Sequence, residues 1–273
     1  MQQKTKGSRS INMINEGLVL GLLLPFLGTA TGAACVFFMR REMALPLRKV
    51  LLGFAAGVMV AASVWSLLIP SMEVGEADGM GRVIPAAVGF MLGILFLLLL
   101  DRLVPHQHID SSRSEGPRSK WSRTSKLALA VTIHNVPEGI AVGIALAGAL
   151  EETGLLTMSG ALALSIGIAL QNFPEGAIVS MPLHDLGNSR GRSFLIGTLS
   201  GAVEPVAAAV TMFLAALVLP VFPYMLSFGA GAMIYVVIEE LIPETAEGEH
   251  SDLGTIGFAV GFVMMMVLDV VLS

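Results

Sequence analysis

Long apolar runs alternate with short polar connections along this chain. Eight runs reach the roughly 20 residues that a helix needs to cross a bilayer. They cover residues 18–39, 50–70, 83–103, 127–150, 156–183, 194–219, 221–241 and 253–272. The longest polar connection, about 105–125, is rich in Ser, Arg and Pro, and it is predicted to be a disordered loop. The pattern predicts an all-α polytopic membrane protein with eight transmembrane helices, in one domain over residues 1–273.

Composition supports this class of protein. Hydrophobic residues make up 54% of the chain and charged residues only 14%, which is more apolar sequence than a soluble domain of this length needs. The single cysteine, Cys35, excludes an internal disulfide framework and a cluster of thiolate metal ligands. The first apolar run is long and is followed by further runs, so it is not expected to be a cleaved signal peptide.

The distribution of basic residues predicts an orientation. Twelve of the 16 Lys and Arg residues lie at the connections after the first, third and fifth runs. The other side has Lys4, Lys6, Arg9 and Arg82. The positive-inside rule places the twelve in the cytoplasm and both termini outside, although the basic N-terminal tail is a counter-signal. The expected location is the plasma membrane.

Two near-copies of one six-residue motif lie inside the fourth and fifth runs. His-Asn-Val-Pro-Glu-Gly covers 134–139, and Gln-Asn-Phe-Pro-Glu-Gly covers 171–176. A carboxylate is costly in a bilayer, and each preceding proline removes a helical hydrogen bond, so both helices are predicted to kink. Neither run contains Lys or Arg. The carboxylates must therefore be protonated, hydrated or bound to a cation.

The spacing of these residues along each helix, and their predicted depth in the bilayer, add further side chains to the two motifs. His134 and Glu138 are four residues apart and share a helix face, about 6 Å apart along the axis, and Gln171 and Glu175 repeat that spacing. Side chains of similar predicted depth come from four of the runs. The predicted metal ligands are Met59, His134, Asn135, Glu138, Gln171, Asn172, Glu175 and Glu204. Imidazole, carboxylate, amide oxygen and one thioether suit Zn²⁺, Fe²⁺, Mn²⁺, Co²⁺ and Cd²⁺ better than Cu⁺.

Each candidate ligand also has an ordinary structural interpretation. A methionine such as Met59 is by itself more typical of a packed core. A membrane histidine usually makes hydrogen bonds or packing contacts, but His134 lies in a duplicated motif with a carboxylate one turn away. Glu204 lacks such a motif, so its role as a ligand has less support than those of Glu138 and Glu175.

Further acidic and histidine residues lie near the two ends of the predicted helices. Glu73 and Asp269 are predicted at the outer end, where acidic groups raise the local cation concentration. The cytoplasmic end is predicted to gather Asp101, His106, His108, Glu239 and Glu240. Ordinary solvated loops and helix ends are the alternative interpretation of both groups.

Together these motifs resemble the ZIP (Zrt-, Irt-like) family of metal transporters, especially its prokaryotic branch. The paired Pro-Glu-Gly motifs carry the resemblance, and the family pattern Gly-x-Met-x-Ala-Ala-Ser-x-x-Ser matches residues 57–66. The resemblance covers nearly the whole chain. It implies eight spans, both termini outside, a two-metal site between the fourth and fifth helices, and an elevator-like movement of the first, fourth, fifth and sixth helices against the other four.

The resemblance also assigns roles to residues. It implies a primary metal held by Met59, His134, Glu138, Gln171 and Glu175. It implies a second metal held by Asn135, Asn172 and Glu204, with Glu138 and Glu175 bridging the two. It places Ser66, Glu73 and Asp269 at the entrance and Asp101, His106, His108 and Glu240 at the exit. A homodimer is compatible with the family.

The chain departs from the family pattern at two positions that concern metal binding. A close bacterial pattern has Asp where Asn172 stands, so the second position should be weaker or regulatory. Glu239 stands where some members have His, and the connection between the fourth and fifth runs is somewhat long. The residues assigned to the primary metal are unaffected.

The expected function is transport of a divalent transition metal, with Zn²⁺ first, into the cytoplasm through this midplane site, without an organic cofactor or a nucleic-acid partner. The first alternative is an intramembrane zinc metalloenzyme, but that chemistry typically needs a His-Glu-x-x-His motif, which the sequence lacks. The second is a metal sensor without flux, for which no signalling domain is evident. Proton coupling and the direction of flux remain open at this stage.

Overall fold

The apolar runs form helices. A computed structural model describes residues 2–38, 43–74, 78–104, 117, 122–151, 155–246, 248 and 251–272. Among these residues, eight helices are long and apolar enough to span a bilayer, and there is no strand. They are α1 (Asn15–Phe38), α2 (Leu45–Glu73), α3 (Met80–Leu103), α4 (Thr124–Leu150), α5 (Met158–Asp185), α6 (Arg190–Phe213), α7 (Ala215–Thr245) and α8 (Leu253–Leu272). All eight predicted spans are confirmed, with ends shifted by a few residues.

Serine or threonine residues cap the N-termini of three of these helices. The hydroxyl groups of Ser122, Thr157 and Ser189 accept backbone N–H bonds at the starts of α4, α5 and α6, over 3.2, 2.9 and 3.3 Å. Such caps satisfy amides that have no partner within the helix. Residues 122–125 had been predicted as the end of a disordered loop, and instead they cap and begin α4. Most of that predicted loop lies outside the described residues.

Two helices change their winding close to predicted functional residues. Ser63–Leu68 within α2 and Val237–Leu241 within α7 are π-helical. The first contains Ser66, and the second contains Glu239 and Glu240. π-Helical turns occur mainly as single insertions and are frequent at functional sites. The apolar pattern did not predict these π-helical segments. A π-helical turn has one more residue than an α-helical turn, but the apolar run that contains it looks the same in the sequence.

Prolines affect the helices in different ways. The backbone of α4 stays helical through Pro137, and that of α5 stays helical through Pro174. The predicted kinks are therefore not interruptions, although each proline still leaves one carbonyl without its amide partner. In contrast, α6 breaks into Arg190–Gly201 and Val203–Phe213 at Ala202, three residues before Pro205. This break lies two residues before Glu204.

The connection between the sixth and seventh spans contains two interruptions, of which one was predicted. The predicted spans were 194–219 and 221–241, and their division at residue 220 coincides with a turn through Leu219–Val221. Pro220 and Pro223 lie in this segment, and a proline cannot donate the backbone bond that would continue a regular helix. The earlier interruption at Leu214, where α6 ends, was not predicted, because the hydrophobic pattern is continuous there.

The helices pack in two groups. The most extensive contacts join α1 to α5 and α4 to α6 in one group, and α2 to α8 and α3 to α7 in the other. Between the groups, the main contacts are α2 with α5 and α4 with α7. The first group contains both duplicated motifs, on α4 and α5, and these helices face the second group. The candidate site therefore lies at the boundary between the groups.

Glycines bring helix backbones together inside each group. A side chain at Gly28 of α1 would collide with the backbone carbonyl of Ala169 in α5, and one at Gly93 of α3 would collide with that of Phe228 in α7. Among the described glycines, those whose nearest neighbours are backbone atoms of another helix make that contact within one group. Between groups, glycines meet side chains, as Gly167 meets Met265. Close helix approach through small residues is the usual packing mode in membranes.

We expect Gly93→Ala to destabilise the protein by about 1–3 kcal/mol, because the added methyl group cannot avoid a backbone carbonyl. The measurement is the melting temperature of the purified protein in detergent. Gly191→Ala is the matched control, since nothing lies within 4 Å of a Cβ at that position. Equal melting temperatures for the two variants would contradict the proposed tight contact between α3 and α7.

Candidate metal centre

The predicted ligands gather in the interior of the bundle. Seven of the eight are buried: Met59, His134, Asn135, Glu138, Gln171, Asn172 and Glu204. Glu175 is half-buried and lines a cavity together with His134 and Glu138. These side chains come from α2, α4, α5 and α6, as the depth argument had predicted.

Glu138 and Gln171 form the centre of this cluster. Gln171 Nε2 donates a 2.8 Å hydrogen bond to Glu138 Oε1, which ties α5 to α4. The other oxygen of each side chain, Glu138 Oε2 and Gln171 Oε1, is buried without a hydrogen-bond partner among the described residues. Buried polar atoms are normally paired, so an unpaired carboxylate oxygen beside an unpaired amide oxygen needs an explanation. Both atoms are acceptors, which is the property a cation requires.

His134 contacts two carboxylates of the other helix group. Its Nε2 lies 3.5 Å from Oδ1 of Asp101 in α3, and its Nδ1 lies 2.8 Å from Oε1 of Glu240 in α7. The Nδ1 contact is short but lacks the alignment of a hydrogen bond. Tyr235 in turn donates a 2.5 Å bond to Oδ2 of Asp101. The imidazole therefore contacts two predicted exit residues, and it lines the same cavity as Glu138 and Glu175.

A narrow cavity extends from the cluster towards one end of the bundle, which we call the Asp101 end. Its volume is about 50 Å³, and it is lined by His134, Glu138 and Glu175 as well as Glu240 and Glu244. The predicted exit residue Glu240 is thus brought to the cluster. Glu239 is exposed and does not line this cavity, because its side chain lies on another face of α7. His106 and His108 lie outside the described residues.

Glu244 is part of this cavity and was not predicted. It forms an ion pair of 3.0 Å with Arg48 at the start of α2, where both side chains are largely shielded from solvent. The four-residue spacing between Glu240 and Glu244 places both on one helix face and could have revealed it. Tyr235, the partner of Asp101, had no comparable signal, because a single tyrosine in an apolar run is ordinary.

Glu204 is held in a separate network. Its Oε1 accepts a 2.8 Å bond from Asn135 Nδ2 and a 3.3 Å bond from Thr29 Oγ1. Its Oε2 accepts a 2.8 Å bond from Asn172 Nδ2, which also donates to the Pro25 carbonyl over 3.3 Å. Thr29 was missed by the sequence analysis, since threonine is common in membrane helices and no motif surrounds it.

A larger cavity opens at the opposite end, which we call the Glu73 end. It has a volume of about 580 Å³, and its lining includes Ser66, Glu73 and Asp269. Ser66 donates a 2.5 Å bond to Oδ1 of Asp269, linking α2 to α8, while Glu73 is exposed at the rim. The three predicted entrance residues therefore line one cavity. It shares no lining residue with the narrow cavity.

The ligands are near one another but do not form a closed metal cage. Among the described residues, no three His, Cys, Asp or Glu side chains converge as a metal site would require. The reason is visible in the contacts: His134 faces Asp101 and Glu240, and Glu204 faces amide and hydroxyl donors.

Comparison with known proteins gives one consistent result. The family model described as ZIP Zinc transporter matches residues 107–269. Zinc transporter ZIP11 of Homo sapiens is 37% identical, over 92% of this chain and 96% of its own length. Zinc transporter GufA of Myxococcus xanthus is 36% identical, over 95% of this chain and 100% of its own length. Zinc transporter ZIPB of Bordetella bronchiseptica is 37% identical, over 96% of this chain and 84% of its own length.

We expect Glu138→Gln to raise the melting temperature of the metal-free protein by roughly 2–4 °C, as a gain of about 1 kcal/mol would do. The substitution removes a buried carboxylate oxygen that has no partner, while the carbonyl oxygen of the new amide can still accept the bond from Gln171. Thermal unfolding in detergent with a chelator measures the shift. Glu16→Gln, at an exposed position, is the control. A lower melting temperature would mean that Oε2 of Glu138 is satisfied in the folded protein.

Proposed function

The chain belongs to the ZIP family of zinc transporters, and from this membership we propose that it transports Zn²⁺ through the cluster around Glu138. The observation that carries the proposal is the pair of buried oxygens, Glu138 Oε2 and Gln171 Oε1, that have no hydrogen-bond partner among the described residues. A bound dication would satisfy both. The same cation would offset the charge of the carboxylate, which no Lys or Arg in the two motif-bearing runs can do.

We assign the primary ligands to Met59, His134, Glu138, Gln171 and Glu175. Four are buried and the fifth lines the adjoining cavity, so little water competes for the cation. Nitrogen, oxygen and one thioether form a borderline ligand set that accepts Zn²⁺ and Cd²⁺, and to a lesser extent Fe²⁺, Co²⁺ and Mn²⁺. All the predicted ligands are side chains, so the site needs no organic cofactor.

Entry and exit follow the two cavities. The 580 Å³ cavity with Glu73 at its rim collects cations at one end, because carboxylates raise their local concentration. Ser66 and Asp269 stand deeper in that cavity. Beyond the site, Glu240 and Asp101 receive the ion at the other end. The excess of Lys and Arg at the Asp101 end places it in the cytoplasm, so the proposed flux is uptake across the plasma membrane with both termini outside.

An elevator-like movement is supported by the packing of the helices. Backbone contacts through glycine join α1 to α5 and α4 to α6 in one group, and α2 to α8 and α3 to α7 in the other, and further packing joins these pairs within each group. Where a glycine meets the other group, as Gly167 meets Met265, it contacts a side chain, which can exchange partners more easily than interlocked backbones. The primary ligands, except Met59, belong to the first group and would move with it. The whole chain, 1–273, then acts as one transport domain, with a homodimer as its proposed assembly.

A role as an enzyme or as a sensor has less support. A catalytic zinc usually has two or three histidine or cysteine ligands and a position open to water, whereas His134 is the single histidine in the candidate set. The relatives are named as transporters over nearly the full length of this chain. We therefore propose transport, and not hydrolysis or signalling, as the function.

We expect Glu138→Ala to reduce zinc uptake into proteoliposomes by tenfold or more, because the variant loses the carboxylate that compensates the charge of the ion. Glu16→Ala, which removes an exposed carboxylate outside the site, should retain wild-type uptake. Both variants are compared at equal amounts of reconstituted protein with a zinc-sensitive dye inside the vesicles. Unchanged uptake by Glu138→Ala would refute the proposed site.

Metal preference tests the contribution of Met59. We expect Met59→Leu, which keeps nearly the same volume, to reduce Cd²⁺ uptake several-fold more than Mn²⁺ uptake, because a thioether favours the softer ion. Competition among Zn²⁺, Cd²⁺, Fe²⁺ and Mn²⁺ in the same vesicles measures this ratio. Met158→Leu, 13 residues before Gln171 on α5 and so about 20 Å away, is the control. An unchanged Cd²⁺/Mn²⁺ ratio would remove Met59 from the ligand set.

A further inference from the structure

Glu204 differs from Glu138 in having every carboxylate oxygen satisfied. Three donors reach it: Asn135 Nδ2 and Thr29 Oγ1 on Oε1, and Asn172 Nδ2 on Oε2. Glu204 is buried, and neither of its oxygens is among the unpaired buried atoms of the described residues. A cation is therefore not needed to explain its burial.

The orientation of the Asn172 amide is determined by its surroundings. Its Nδ2 lies 2.8 Å from Glu204 Oε2 and 3.3 Å from the carbonyl oxygen of Pro25. Both neighbours are acceptors, and a backbone carbonyl has no alternative role, so the nitrogen must face them. An amide N–H₂ group donates hydrogen bonds and offers no lone pair to a metal. Asn172 thus presents its donor group to Glu204, and its carbonyl oxygen, Oδ1, on the other side of the amide, is buried without a hydrogen-bond partner among the described residues.

The identity of residue 172 then decides the chemistry between α5 and α6. An aspartate there, as in the close bacterial pattern, would place a second carboxylate against Glu204. Two carboxylates in one buried site repel each other and require a proton or a cation between them. Asparagine removes the repulsion and supplies a hydrogen bond of 2.8 Å instead. Exchanging one carboxylate oxygen of an aspartate for the amide nitrogen of Asn172 therefore replaces a pair of carboxylates that would bind a metal with a direct hydrogen bond to Glu204.

The network also joins a particular set of helices. Thr29 belongs to α1, Asn135 to α4, Asn172 to α5 and Glu204 to α6, so one carboxylate connects all four helices of the first group. The break in α6 two residues before Glu204 brings this residue to the start of a new helical segment. Hydrogen bonds to a carboxylate are typically stronger than those between neutral groups.

We propose that Glu204 is the structural tie of the first helix group in this protein and not a metal ligand, so that the chain binds one zinc ion, at the primary position alone. The inference rests on the proposed function of the primary site. It replaces the second metal, which the family resemblance implies, with the amide and hydroxyl groups of Asn135, Asn172 and Thr29. Asn172 is then the residue that determines how many ions the site accepts.

Zinc stoichiometry tests this proposal directly. Purified protein in detergent is equilibrated with Zn²⁺ by dialysis, and bound metal per chain is measured by elemental analysis. We expect about one zinc for the wild type and about two for Asn172→Asp, because the added carboxylate creates a second anionic pair with Glu204. Glu204→Gln should keep one zinc, and Glu138→Gln should lose it. The wild-type count needs no substitution, so the test stands even if a variant folds poorly.

Thermal unfolding supplies an independent readout. We expect metal-free Asn172→Asp to melt below the wild type, because repulsion with Glu204 replaces a hydrogen bond, and zinc to stabilise it more than it stabilises the wild type. Two zinc ions per wild-type chain, reduced to one by Glu204→Gln, would overturn the inference and leave the primary site intact. One zinc in Asn172→Asp would also overturn it. Zinc retained by Glu138→Gln would refute the primary site itself and the inference with it.

Discussion

The structure depends on how carboxylates are compensated inside an apolar bundle. The two motif-bearing runs contain no Lys or Arg, so other groups must offset the negative charge of the carboxylates. Glu204 is surrounded by amide and hydroxyl donors, and Glu244 is paired with Arg48 near one end of the bundle. Glu138 accepts a bond from Gln171 on Oε1, and its Oε2 is without a partner among the described residues. The donors around the two carboxylates therefore differ: those around Glu204 satisfy both of its oxygens, whereas Glu138 keeps one acceptor for the proposed cation.

The helices are also divided into two groups, and the contacts inside a group differ in kind from those between the groups. Glycines such as Gly28 and Gly93 allow backbones to touch inside a group, and such contacts cannot slide without a steric clash. Between the groups, the atoms nearest to the described glycines belong to side chains and not to backbone, as where Gly167 meets Met265. The candidate metal centre lies along that softer boundary, with most of its ligands on one side and Met59 on the other. Rigid groups with an adaptable boundary are what a moving binding site requires.

Sequence reasoning predicted the parts of this architecture that repeat. Eight apolar runs specified eight helices, and the duplicated Pro-Glu-Gly motifs located the buried cluster, because periodicity and an unusual charge in an apolar segment are local signals. Other features arise from tertiary contacts or from single residues and had no such signal. Thr29 and Tyr235 are ordinary residues until they meet Glu204 and Asp101. The π-helical segments and the interruption at Leu214 change the path of the chain without interrupting its apolar runs, so the sequence did not predict them.

The short contact between His134 and Glu240 bears on which ring nitrogen can hold a metal. A ring nitrogen 2.8 Å from a carboxylate oxygen carries a proton and has no lone pair to offer, so the metal-binding nitrogen of the proposed site is Nε2. A carboxylate on the second nitrogen of a ligating histidine fixes the direction of its ring. An ion bound at Nε2 would displace the 3.5 Å contact with Asp101 and leave the one with Glu240 in place, so one link between the helix groups would persist in the loaded protein.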